Sequence, residues 1–97
     1  MRLFHRTTLT PDEVLASADR FFPSLGLAAA GGDPRSRRFA GTLGAARLGV
    51  RMEGGHYTLV EVHTDQIGES RLDKNVKKFF VALHRRADPR HRIEAGY

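Results

Sequence analysis

The chain has 97 residues, 40% of them apolar, no cysteine and a formal net charge of +5. A chain of that length builds one domain around one core, and the lack of cysteine excludes disulfides, thiolate zinc sites and cysteine nucleophiles. No apolar run is long enough for a signal peptide or a membrane span, so a cytoplasmic protein with no membrane partner is expected.

Charge is distributed unevenly. Residues 68 to 97 carry eight Lys/Arg against four Asp/Glu, whereas residues 1 to 67 carry eight against seven. That asymmetry suits either an anionic partner or a solvated basic helix with a tail.

In chain order, Arg2 to Thr8 alternates Leu3, His5 and Thr7 with Phe4, Arg6 and Thr8, the pattern of a short strand whose buried side stays open. Thr10-Pro11-Asp12-Glu13 then supplies an N-cap hydroxyl, a proline at the first helical position and a glutamate placed for a capping box. Leu9 and Val14 occupy hydrophobic-staple positions, and Val14, Leu15, Ala18, Phe21 and Phe22 share one helical face. This helix is expected to end before Pro23. Leu25 to Ala30 reads as a short edge strand, Gly31-Gly32-Asp33-Pro34 as a turn, and Arg37 to Leu43 as a half-buried strand that turns at Gly44 or Ala45.

Two alternating runs follow, Ala46 to Glu53 and His56 to Thr64, meeting at Gly54-Gly55. Read as a two-residue hairpin turn, the glycines pair Glu53 with His56, Met52 with Tyr57 and Val50 with Leu59. In that register Leu48, Val50, Met52, Tyr57, Leu59, Glu61 and His63 face the helices, and Arg47, Arg51, Val60 and Val62 share the open face. Ser70 and Asp73 make a second capping box, opening a helix that runs to about Arg86 or Ala87 with Leu72, Val76, Phe79, Phe80 and Leu83 as its core stripe. On its other side Lys74, Lys77, Lys78 and Arg85 surround Val81. Asp88-Pro89 stops the helix, and residues 88–97 are read as a C-terminal tail in which Ile93 and Tyr97 are apolar enough to dock.

The order β-α-β-β-β-β-α predicts an α+β fold: a two-layer sandwich in which both helices cover one face of a curved, mainly antiparallel sheet. In element order this layout resembles one half of a TATA-box-binding-like domain or a trimmed helix-grip protein. The resemblance concerns architecture and implies no particular function.

Chemistry is sparse. The glycines form no phosphate-loop or dinucleotide signature, and there is no nucleophile elbow or helical His-Glu-x-x-His run. Glu61 and His63 could do acid–base work in a desolvated cleft, but without a third polar group no catalytic residue is assigned. His63 and Asp65 are only two side chains of ligand type, so neither a metal site nor a cofactor is expected.

The chain is therefore read as a small non-enzymatic binding or assembly domain. Its partner would be a macromolecule, contacted through Arg47, Arg51, Val60 and Val62 on the open sheet face and through Lys74, Lys77, Lys78, Val81 and Arg85 on the second helix. A protein, or a second copy forming a homodimer, fits such a mixed surface; nucleic acid is admitted by the charge but marked by no motif. Aromatics interleaved with the basic residues would mark single-stranded nucleic acid, and Phe4 is the one candidate for that face. The alternative is a small-molecule binding protein with a hydrophobic cleft between helices and sheet, lined by Tyr57, Leu59, Glu61, His63 and Phe79.

Overall fold

The computed structural model describes residues 1–87; the expected tail, with Ile93 and Tyr97, lies outside the described residues. In chain order the elements are β1 (Arg2–Thr7), α1 (Pro11–Ser24), β2 (Ala28–Asp33), β3 (Ser36–Gly41), β4 (Gly44–Glu53), β5 (Tyr57–Thr64) and α2 (Arg71–Ala87). The strands form one five-stranded sheet in the order β1-β5-β4-β3-β2, every pairing antiparallel. Both helices pack on the same face, α1 over β2, β3 and β4 and α2 over β1 and β5. This is the α+β two-layer sandwich expected. Among the described residues no helix is long and apolar enough to cross a membrane.

Both helix starts form as their local sequence dictates. The Thr10 hydroxyl accepts from the Glu13 N–H at 3.2 Å while the Glu13 carboxylate accepts from the Thr10 N–H at 3.1 Å. At α2, Ser70 Oγ accepts from the Asp73 N–H at 3.0 Å and also donates to Asp73 Oδ2 at 2.9 Å. Asp73 does more than cap: its fully buried carboxylate accepts from Thr64 Oγ1 at 2.7 Å, tying the start of α2 to the end of β5. Burial alone would raise its pKa, but the hydrogen bonds from Thr64 and Ser70 outweigh burial and hold the carboxyl below its usual range.

The core lies between the layers. Leu3, Phe39, Leu48, Val50, Val60 and Val62 of the sheet meet Val14, Leu15, Phe22, Leu72, Val76, Phe79 and Leu83 of the helices, all buried. Phe22 stacks on Phe39 with ring centroids 4.9 Å apart and also touches Phe79 at 5.2 Å. His5 enters this layer from β1, its ring stacked on Phe80 at 5.2 Å, with a buried Nε2 that has no hydrogen-bond partner among the described residues.

Several boundaries differ from the sequence reading. α1 runs through Pro23 to Ser24, because a proline in the last turn forfeits one hydrogen bond only, and the N–H groups of Leu25 and Gly26 close the end onto the carbonyls of Phe22 and Pro23. The edge strand is Ala28–Asp33 rather than Leu25 to Ala30. Leu27 is drawn into the core ahead of it. The turn accordingly moves to Pro34-Arg35, where Asp33 Oδ1 accepts from the Arg35 N–H at 2.8 Å. β3 ends at Gly41, and Thr42-Leu43 make the turn into β4. Gly44, at φ +127°, starts that strand where a side chain would be strained and would meet Asp65 Oδ1 at 2.6 Å.

The decisive difference is at the β4–β5 hairpin. Glu53 pairs with Tyr57, Met52 with Thr58 and Val50 with Val60, so Gly54, Gly55 and His56 form a three-residue loop. One residue of slip turns every side chain of β5 to the other face. The observed register buries Thr58, Val60 and Val62 with no exposure and leaves Glu61 and His63 partly exposed. The alternative would press that carboxylate and imidazole under the helices and put valines in water, which desolvation forbids.

Candidate functional site

The face of the sheet away from the helices is open, and cross-strand register dictates what stands on it. One row across the strands reads Arg2, His63, Arg47, Arg38; the next reads Phe4, Glu61, Gly49, Ser36; the third reads Arg6, Leu59, Arg51. Tyr57 and Glu53 make a fourth pair beside the hairpin loop. Arginine is the commonest residue of these rows, five of thirteen, and Phe4, Tyr57, Leu59, His63, Glu61 and Glu53 stand among the guanidinium groups.

Two of these arginines are neutralised locally. Arg2 Nε lies 2.9 Å from Glu61 Oε1, and Arg6 pairs with Glu53. His63 Nε2 donates to the same Glu61 oxygen at 2.8 Å. That hydrogen bond, with the charges of Arg2 and Arg51, holds the Glu61 carboxyl below its ordinary pKa against a smaller effect of burial. Arg38 and Arg47 make no ion pair among the described residues. Arg37, which alternates with Arg38, points the other way and bonds Asp19 of α1 at 3.0 Å.

Gly49 creates a depression in this field. Having no side chain, it leaves a cavity of about 290 Å³ bounded by Arg35, Ser36, Arg47, Arg51, Leu59, Glu61 and His63. A Cβ placed on Gly49 would touch nothing within 4 Å. Leu59 is only 3% exposed although it lies outside the helix-covered core. Its cross-strand neighbours are Arg6 and Arg51, long side chains of a kind that lie over apolar surface.

Comparison with protein-family models and with curated proteins gives no match to this chain. Function has to be argued from the face itself.

Of the residues singled out from sequence, Arg47 and Arg51 do stand on the open face. Val60 and Val62 do not: they are core residues with no exposure, displaced from that face by the three-residue loop. Tyr57, Leu59, Glu61 and His63 move the opposite way and join the arginines. The expected cleft between helices and sheet is therefore not formed. Phe79 is 1% exposed and fills the core against Phe21 and Phe22, a full sheet thickness from Tyr57. Lys74, Lys77, Lys78, Val81 and Arg85 are exposed on α2 as expected, with Lys77 3.3 Å from Glu69. Since α2 covers the other face, these residues and Arg47/Arg51 do not converge on one surface. Sequence reasoning did not single out Arg2, Arg6 and Arg38, and it set Gly49 on this face without reading a depression there; strand alternation places each of them.

Among the described residues, no three His, Asp or Glu side chains are grouped as a metal ion would require. Glu61 and His63 form a bonded pair on an open surface, and the Arg2 guanidinium joins them at the same Glu61 oxygen.

Proposed function

We propose that this protein is a small non-enzymatic binding domain whose open sheet face engages an anionic macromolecule. The observation that carries the reading is that Arg38 and Arg47, which make no ion pair among the described residues, stand on one face with Arg51, with Arg47 and Arg51 lining the Gly49 depression. Arginines held on a rigid sheet at strand spacing lose little freedom on binding and present forked donors to phosphate or carboxylate oxygens. A cytoplasmic location belongs to the same proposal.

The test is a salt series. Binding of duplex DNA and of inorganic polyphosphate, two polyanions with different backbones, is measured by anisotropy for the parent chain and for Arg47→Ala/Arg51→Ala. Loss of two phosphate contacts reduces the magnitude of the log-affinity against log-salt slope for DNA by about two. Absence of binding at low salt, where electrostatic attraction is greatest, would overturn the proposal.

A further inference from the structure

We infer that the occupant of the open face is a single-stranded nucleic acid, its bases stacked on Phe4 and Tyr57 and one nucleotide seated in the depression at Gly49. This rests on the polyanion reading above and names the polyanion. The first observation is the interleaving of aromatics with cations. Phe4 is 48% and Tyr57 52% exposed, on the face that carries Arg2, Arg6, Arg47 and Arg51. Rings of that size are left in water at a cost, and every nucleobase offers a π-face to cover them. The Arg2 guanidinium already lies 4.6 Å over the Phe4 ring centroid, a planar cation on which a base also stacks.

The second observation is the layout. His63 and Tyr57 mark the two ends of β5 on this face, about 20 Å apart at roughly 3.4 Å per residue, and Phe4 stands beside the stretch between them on β1. Arg47 and Arg51 flank the same line on β4. A flexible strand can follow such a line with its bases on the rings and its phosphates against the arginines.

The third is the depression, whose volume of about 290 Å³ lies at the small end of ligand sites, which run from about 300 Å³ upward. A duplex keeps the faces of its bases stacked inward and presents phosphates, sugars and groove edges, so it has no base face to lay on the rings or turn into the depression. A single strand can turn a base into it.

The experiment compares fluorescent oligo-deoxythymidine, the same strand annealed to oligo-deoxyadenosine, and inorganic polyphosphate at one salt concentration. The single strand should bind about fivefold or more tightly than either competitor, and Tyr57→Ala should remove about fivefold from the single strand alone. Gly49→Val narrows the depression from a position where an added Cβ meets nothing within 4 Å, and adds a residue suited to a strand. It should keep the parent unfolding midpoint and weaken the single strand by about fivefold or more, a larger factor than it takes from polyphosphate. Equal affinity for all three probes, tighter duplex binding, or single-strand affinity unchanged in both variants would overturn this inference and leave the polyanion reading standing. No binding to any probe at low salt would remove both.

Discussion

Among the described residues Glu61 is the one carboxylate set in the central rows of this face, and its ion pair and hydrogen bond go to Arg2 and His63. The result, among the described residues, is a neutralised strip beside β1 and an unpaired one toward β3, and under the proposed function an incoming anion is directed to the second. His5 illustrates the opposite treatment of an ionisable group. It stands on the helix side of the sheet, paired across the strand with Val60 and stacked on Phe80; burial, reinforced by the charge of His84, lowers its pKa below 6.5. The folded chain thus resists protonation more than the unfolded chain does, and the unfolded state binds more protons in that window. Stability from the neutral ring is complete above pH 6.5 and is lost as pH falls through the lowered folded value. His5→Phe keeps a ring on Phe80 and removes the titration. Urea midpoints across that window should show the parent losing stability relative to His5→Phe as the medium is acidified; a constant difference between the two proteins would contradict it.

At the scale of elements, α2 separates its two roles cleanly. Phe79 packs against Phe21, Phe22 and Phe80, so Phe79→Ala should cost about 3–5 kcal/mol, read as a lower denaturant midpoint. Val81 is 48% exposed on the outer side, and Val81→Ser should change stability by less than about 0.5 kcal/mol in the same titration. Both facings were legible in the sequence because a helix start and its stripe are decided within a few residues, by Ser70 and Asp73 and by the spacing from Leu72 to Leu83. The hairpin was not, since two adjacent glycines, here at φ +39° and +62°, suit loops of different length. The missing signal lay in β5 itself, where Val60 and Val62 alternate with Glu61 and His63 and only one register buries the valines. β2 was hard to place for a different reason: Ala28 to Gly32 has no bulky side chain to define a period, and none of its residues is buried.

Across the whole molecule, alternation does what composition conceals. Residues 1 to 67 are nearly balanced in charge, yet β1, β3 and β4 turn Arg2, Arg6, Arg38, Arg47 and Arg51 to one side. The basic residues of α2 lie on the opposite side of a body whose smallest extent is 22 Å. At physiological salt the screening length is about 8 Å, so the two surfaces act independently. Lys74→Ala/Lys78→Ala should therefore leave polyanion affinity at that salt close to the parent value, while Arg47→Ala/Arg51→Ala lowers it; equal losses from the two pairs would mean that the helix side takes part in the contact.

An open five-stranded sheet is exposed to another hazard at its rims. β2 is the free edge beside β3, and its pairing slips between Ala29 and Gly31. The slip interrupts the even spacing of outward N–H and C=O groups that a second molecule would need in order to add its own strand. Addition of a second strand along β2 is thereby limited to a few residues on either side of the slip, and regular pairing is left to the opposite edge, β1.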